Sequence, residues 1–166
     1  MLTDYARVPI AFEMPVSSGV STTKDYDAIP GNGPLDWPTR FDVSDWVFFT
    51  ARAHGRCIGG AVAIFRSNDF DMLDGRDDLA LLWDIRVSPD VRAQGVGAAL
   101  LAAVESAMRR RGARTLKVET QDVNAGACRF YQRHGFALER AAIGAYPEFP
   151  DEVQLLWYKT LTEAPA

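Results

Sequence analysis

The chain has 166 residues, of which 48% are apolar and 24% charged, with a formal net charge of −4. This suits a single soluble domain over residues 1–166 with one substantial core, and it excludes a low-complexity or disordered class. No apolar run approaches the roughly 20 residues that span a bilayer, and the N-terminus lacks the basic stretch and apolar segment of a secretory leader, so a cytoplasmic protein with no membrane partner is expected.

Cys57 and Cys128 lie far apart, outside any CxxC or His-rich pattern, which predicts neither a disulfide framework nor a metal site. Charge is unevenly spread. Residues 1–91 carry 14 acids against 8 bases, and residues 92–166 carry 8 acids against 10 bases. Such a split suits an anionic ligand on one side and a cationic one on the other, although two solvated faces read the same way. No basic stripe interleaves with aromatics, so nucleic acid is not an expected partner.

In chain order, residues 7–14 read as a short strand, with Pro9 arguing for an edge position or a later start. Residues 15–40 are rich in Pro, Gly, Ser, Thr and Asp and are expected to form loops with one or two short helices. Residues 45–53 and 56–66 read as strands joined by a His54-Gly55 turn. Asn68 to Asp78 is an acidic loop. Leu79 to Val87 is mostly apolar and so reads as a central strand, ended by Pro89. Residues 95–112 form a helix, with Leu100, Leu101, Val104, Ala107 and Met108 on one stripe and Gly112 as its stop. A strand at 115–120, a helix at 124–134 stopped by Gly135, and strands at 136–143 and 153–161 complete the chain. This order implies a mixed sheet with helices on its faces.

The most informative stretch runs from Trp83 to Leu101. An apolar strand leads into a loop with Arg92, then Gly95-Val96-Gly97, then an amphipathic helix. Glycines let the backbone turn tightly and approach a ligand closely. The unpaired amides of a helix's first turn favour phosphate. A lone Gly-x-Gly can equally be an ordinary helix start. No Lys-Ser/Thr follows, as a P-loop requires, and the third glycine of a dinucleotide fingerprint is missing.

Arg92-Ala93-Gln94-Gly95-Val96-Gly97 matches Gln/Arg-x-x-Gly-x-Gly/Ala, and residues 124–136 match Asn-x-x-Ala-x-x-Phe-Tyr-x-x-x-Gly-Phe. In these two motifs together the chain resembles the GNAT N-acetyltransferase superfamily. The resemblance covers residues 45–161 well and the first 44 poorly. Glu119 to Asn124 and Ala145 to Tyr158 look most like streptothricin acetyltransferases, which tend to have an acid where this chain has Trp83. The resemblance implies a GNAT-like α/β (α+β) fold: a mixed, mostly antiparallel sheet of six to seven strands flanked by about four helices. It also implies direct transfer of an acetyl group from acetyl-CoA to an amine, without a metal. Members are often dimers, so a homodimer is admitted.

Carried over by that resemblance, the backbone of Arg92, Ala93, Gln94, Gly95, Val96, Gly97 and Ala98 holds the cofactor's pyrophosphate. Ile85, Arg86 and Val87 pair with its pantetheine arm, Asn124 hydrogen-bonds that arm, and Ala127, Phe130 and Tyr131 of the second motif line the same site. Tyr131 is the expected acid for the departing thiolate. Asp84, and after it Glu119, is the expected base for the amine, since an alkylammonium has a pKa of about 10. The duller readings are a structural acceptor for Asp84, a salt bridge to Arg86 or Lys117 for Glu119, and a helix cap for Asn124.

An acceptor cation needs counter-charge. Glu148, Asp151 and Glu152 form one acidic cluster, and Asp69, Asp71, Asp74, Asp77 and Asp78 another; either can instead be solvating loop charge. The expected activity is N-acetylation of a small cationic amine such as a streptothricin-like antibiotic. The alternatives are a protein N-terminal or lysine acetyltransferase, or a non-catalytic acyl-CoA-binding sensor.

Overall fold

Each long apolar run of the sequence becomes a strand, and the two long amphipathic runs become helices. The computed structural model describes residues 2–10, 12–15, 21–67 and 70–162. In chain order these form α1 (Leu2–Ala6), β1 (Phe12–Pro15), β2 (Ser21–Lys24), α2 (Trp37–Arg40), β3 (Val47–Ala53), β4 (Arg56–Phe65), β5 (Leu79–Val87), α3 (Val96–Arg110), β6 (Thr115–Gln121), α4 (Ala125–Arg133), β7 (Ala137–Ile143) and β8 (Val153–Thr160). Strands β3 to β8 make one six-stranded sheet in the order β3-β4-β5-β6-β8-β7. Its pairings are antiparallel except β5 with β6, which are parallel and joined by the crossover helix α3. This is the mixed, mostly antiparallel architecture expected from the sequence.

Period-two alternation along β4 sorts the core into two layers. Ala61, Ala63 and Phe65 face a cluster with Leu101, Val104 and Met108 of α3. Val62 and Ile64 face Tyr5, Trp37, Trp46 and Phe70 on the opposite side. The second layer is largely aromatic, with Trp46 and Trp83 ring centroids 5.4 Å apart and Phe41 and Phe70 5.0 Å apart. Offset and edge contacts of this kind add to the area the rings bury.

The N-terminal region departs from the sequence reading. Residues 7–14 read as a short strand, with Pro9 allowing a start one or two residues later, but the strand begins at Phe12 and helix α1 precedes it. A five-residue helix offers no period to read, and isolated helices of that length are unstable in water. It persists because Tyr5 is fully buried against the sheet. β1 pairs with β2 in a separate two-stranded ribbon, so the stretch expected as loops with short helices also contains a strand.

Gly60 makes room for Tyr5. A Cβ at position 60 would run into the Tyr5 ring and stand 2.8 Å from the Phe49 carbonyl oxygen. Gly60→Val should therefore unseat α1 and lower stability by about 1–3 kcal/mol, as overpacking of a tight site does. Chemical denaturation and the near-ultraviolet signal of the aromatic layer check this.

Candidate active site

The site begins where two parallel strands part. β5 and β6 are paired from Leu79 with Thr115 to Leu82 with Val118. Beyond that point β5 stays paired with β4 as far as Val87, and β6 stays paired with β8 as far as Gln121. Residues 83–87 and 119–121 thus present unpaired strand edges to each other, the kind of edge that accepts an extended ligand. A cleft of ≈ 1020 Å³ opens there, lined on both sides by these strands and closed by residues of α3 and α4.

A bulge sets which β5 side chains face which layer. The register passes from Asp84 opposite Val62 to Leu82 opposite Ala63, leaving Trp83 as an extra residue. Leu82, Ile85 and Val87 pack with the α3 layer. Leu81 and Trp83 pack with the aromatic layer, and Asp84 and Arg86 join them on that side, bonded to Tyr5 and to the Val8 carbonyl. Bulges re-aim side chains in this way next to functional sites.

After β5 the chain builds an anion cradle. Ser88 donates to Asp90 at 2.6 Å, and Arg56 binds the other Asp90 oxygen at 2.5 Å. Both hydrogen bonds pull the Asp90 carboxyl below its usual range, the one from Ser88 most. Arg92 folds back to the Val87 carbonyl at 3.0 Å. Ala93 and Gly95 adopt left-handed conformations, with φ of 60° and 85°; at the head of α3 this conformation favours glycine. Among the described residues, the six amides of 93–98 donate to no carbonyl. Successive free amides at the positive end of a 15-residue helix are groups able to receive an anion.

The second motif borders the same cleft. Asn124 caps α4, its Oδ1 accepting from the Ala127 amide at 3.1 Å; its side-chain amide remains available to the cleft, which Asn124 and Ala127 both line. Gly97 lies against the Phe130 ring, where an added Cβ would stand 3.4 Å from the nearest ring carbon. Tyr131 is buried between the Phe130 and Phe136 rings, with centroids 5.3 Å away in each case. Its hydroxyl has no hydrogen-bond partner among the described residues. Burial above all, helped by the charge of Asp84, pushes its pKa up, so it keeps its proton through the neutral range.

Two groups of carboxylates face the cleft. Asp84 accepts from the Tyr5 hydroxyl and from Arg86 Nε, the latter at 2.6 Å. Arg86 also binds Asp27 through Nη1 at 2.6 Å and Nη2 at 3.3 Å. Burial raises the Asp27 pKa against the opposing pull of Arg86. On the other edge, Glu119 accepts from the Tyr146 hydroxyl at 2.5 Å and from Gln154 Nε2 at 3.0 Å. Gln121 in turn donates to the Tyr146 oxygen at 3.2 Å.

The residues expected from the sequence therefore divide. Ile85, Arg86, Val87, Arg92, Ala93, Gly95, Gly97, Ala98, Asn124, Ala127, Phe130, Tyr131, Asp84 and Glu119 all line one cleft. Gln94 and Val96 contribute backbone amides to the cradle, while the Gln94 side chain binds the Asp90 carbonyl at 3.3 Å. Glu119 makes neither of the salt bridges considered for it, since Lys117 is taken by Asp74 at 3.0 Å. Glu148 and Asp151 are exposed and do not reach the cleft lining, and Glu152 is buried in an ion pair with Lys24.

In the other acidic cluster, Asp74 holds Lys117 and Tyr158 and Asp78 holds Arg76, both structural roles; Asp69 lies outside the described residues. Sequence reasoning missed Arg129 and Arg133, which line the cleft from α4; their i,i+4 spacing behind a capping Asn was a readable signal. It also missed Tyr26 and Asp27, which long-range contacts alone bring to the cleft.

The chain is similar in sequence and fold to known acetyltransferases. Streptothricin acetyltransferase A of Bacillus subtilis (strain 168) is 42% identical over 82 residues, covering 48% of this chain and 47% of that protein. The [ribosomal protein bS18]-alanine N-acetyltransferase of Escherichia coli (strain K12) is 41% identical over 59 residues, covering 36% and 40%. The chain thus spans about half the length, or less, of these curated relatives. A Bacillus anthracis protein solved in complex with acetyl coenzyme A superposes with a TM-score of 0.72 over 96% of this chain and 93% of that one; at 21% identity, the likeness is one of fold. Residues 20–136 match the Acetyltransferase (GNAT) family, a span that includes the cradle, the parted strands and the Tyr131 helix, and the chain belongs to that family.

Proposed function

We propose that the protein is an N-acetyltransferase that moves an acetyl group from acetyl-CoA directly to the primary amine of a small cationic acceptor, a streptothricin-like antibiotic or a related amine. The observation that carries this reading is the run of six unpaired amides at the head of α3 beside an unpaired strand edge. The residues fit the cofactor. Amides 93–98, with Arg92, Arg129 and Arg133 nearby, suit a pyrophosphate. The free edge of Ile85–Val87 suits the amide-bearing pantetheine arm, and so does the Asn124 side chain.

Bound acetyl-CoA supplies an acetyl group activated as a thioester. An amide of the β5 edge donates to its carbonyl oxygen, an interaction worth about 3 kcal/mol where charge develops. Glu119 takes the proton of the acceptor ammonium. Its partners, Tyr146 and Gln154, are neutral donors, whereas the Asp84 charge is committed to Arg86; Asp84 positions Arg86 and Tyr5. The N–C bond forms as the C–S bond breaks, Tyr131 gives its proton to the sulfur, and the nitrogen's second proton returns to Tyr131 through solvent. One proton is released per turnover.

A screen of amines for thiol release from acetyl-CoA tests this reading. Tight acetyl-CoA binding with no release from any amine would instead support a sensor. Glu119→Gln should lower kcat by about 10²-fold at neutral pH, with much of the loss recovered as pH rises towards the acceptor's own pKa. Asp84→Asn should lose less and should not recover. Equal losses with equal pH profiles would move the base role away from Glu119.

A further inference from the structure

Residues 24–27 cross the acceptor side of the cleft as a strap fastened at both ends. At one end Lys24 pairs with Glu152, just before β8; their side chains are only 9% and 11% exposed. The Lys24 ammonium also lies 3.8 Å from the centroid of the Phe149 ring. Three residues later Asp27 is gripped by Arg86 of β5. Since β6 lies between β5 and β8 in the sheet, the two fastenings fall on opposite sides of the β5–β6 opening.

The fastenings are buried at Lys24, Glu152 and Arg86. Breaking a buried ion pair from one side leaves an uncompensated charge and is strongly unfavourable. Between the fastenings, Tyr26 and Asp27 line the cleft. Asp27 keeps 23% of its side-chain surface open even while it holds Arg86. Asp27 and Asp84 share the one guanidinium of Arg86, and Glu119 is bound only by the neutral donors Tyr146 and Gln154, so negative charge remains to be matched. The Tyr26 ring already has the Lys24 ammonium 4.8 Å from its centroid, so the seat for a further ammonium group is the partly open Asp27 carboxylate beside it.

Resting on the acetyltransferase reading, we propose that the strap selects the acceptor. It admits a free small amine carrying a second positive charge, which Asp27 holds while the first amine is acetylated, and it bars a polypeptide N-terminus. Substrate choice then depends on a segment far from the cofactor motifs.

The full chain is assayed for thiol release with putrescine, with butylamine and with a short peptide bearing a free N-terminus, and acetyl-CoA affinity is measured by calorimetry. Putrescine should exceed butylamine in kcat/KM by about tenfold or more, the scale of one well-placed charged contact, and the peptide should not react. Asp27→Asn should bring the putrescine-to-butylamine ratio to within about twofold through KM, with acetyl-CoA affinity unchanged. Lys24→Met combined with Glu152→Gln should let the peptide react.

A wild-type ratio near one, a ratio that survives Asp27→Asn, or a peptide that outperforms putrescine would overturn the strap's role while leaving the acetyltransferase reading standing. No thiol release from any amine, with acetyl-CoA still bound, would overturn both. Should Asp27→Asn fail to fold, the wild-type ratio and the Asp27→Glu variant decide, with Glu expected to retain the preference.

Discussion

Gly97→Glu should all but abolish acetyl-CoA binding, weakening Kd by about 10³-fold, equivalent to roughly 4 kcal/mol. Two causes act together. The added side chain starts between the Phe130 ring and Val87, where a Cβ already meets carbons at 3.4 to 3.7 Å, so the longer chain must turn into the cleft. It then carries a negative charge to the helix end whose free amides await a phosphate, and like charge in a partly dry site is costly. The helix itself should survive, since glutamate is a better helix former than glycine. Gly97→Ala is the control: one Cβ fits at ordinary contact distance, and binding should stay within a few fold. Calorimetry with acetyl-CoA reads both variants. Normal affinity in Gly97→Glu would refute the cradle.

Tyr131→Phe should lower kcat by about 10³-fold and leave the Kd for acetyl-CoA within about twofold, as expected on removing a proton donor that acts only as the thiolate departs. The phenol is suited to the role because burial keeps it protonated and because its hydroxyl is not consumed by another residue among those described. The ring is the packing element, held between Phe130 and Phe136, and phenylalanine preserves it. Stability should therefore change little. A more acidic thiol leaving group should rescue the variant more than the wild type, a response that a merely structural role would not produce. Unchanged kcat would remove Tyr131 from the chemistry.

On the proposed reading, the charges lining the cleft give the two halves of the reaction separate places. Arg92, Arg129 and Arg133 line it with the cradle, and Asp27, Asp84 and Glu119 line it from the strap and the parted strands. The uneven charge of the sequence points the same way, but the particular acids do not follow from it. Glu148 and Asp151 stay in solvent, and Glu152 is spent on Lys24. Local clustering along the chain is a poor guide to which acids share a cavity, because a loop's charges are as often tethers as ligands. Asp74, anchoring Lys117 and Tyr158, is another such tether.

The sequence by itself determined the strands and helices from β3 to β8, the Gly95–Gly97 cradle and the Asn124–Tyr131 motif. Those elements are long enough to show a period, end at glycines or prolines, and owe their conformation mainly to neighbours in the chain. Only the tertiary structure decided three things. Helix α1 exists because Gly60 leaves space for Tyr5. The bulge at Trp83 turns Asp84 towards Arg86 and Tyr5, so that this acid is tied rather than free. Asp27 reaches the cleft because Arg86, 59 residues later, draws it there. In each case the contact joins residues remote in sequence, and a pattern read along the chain carries no information about which distant partner a side chain will meet.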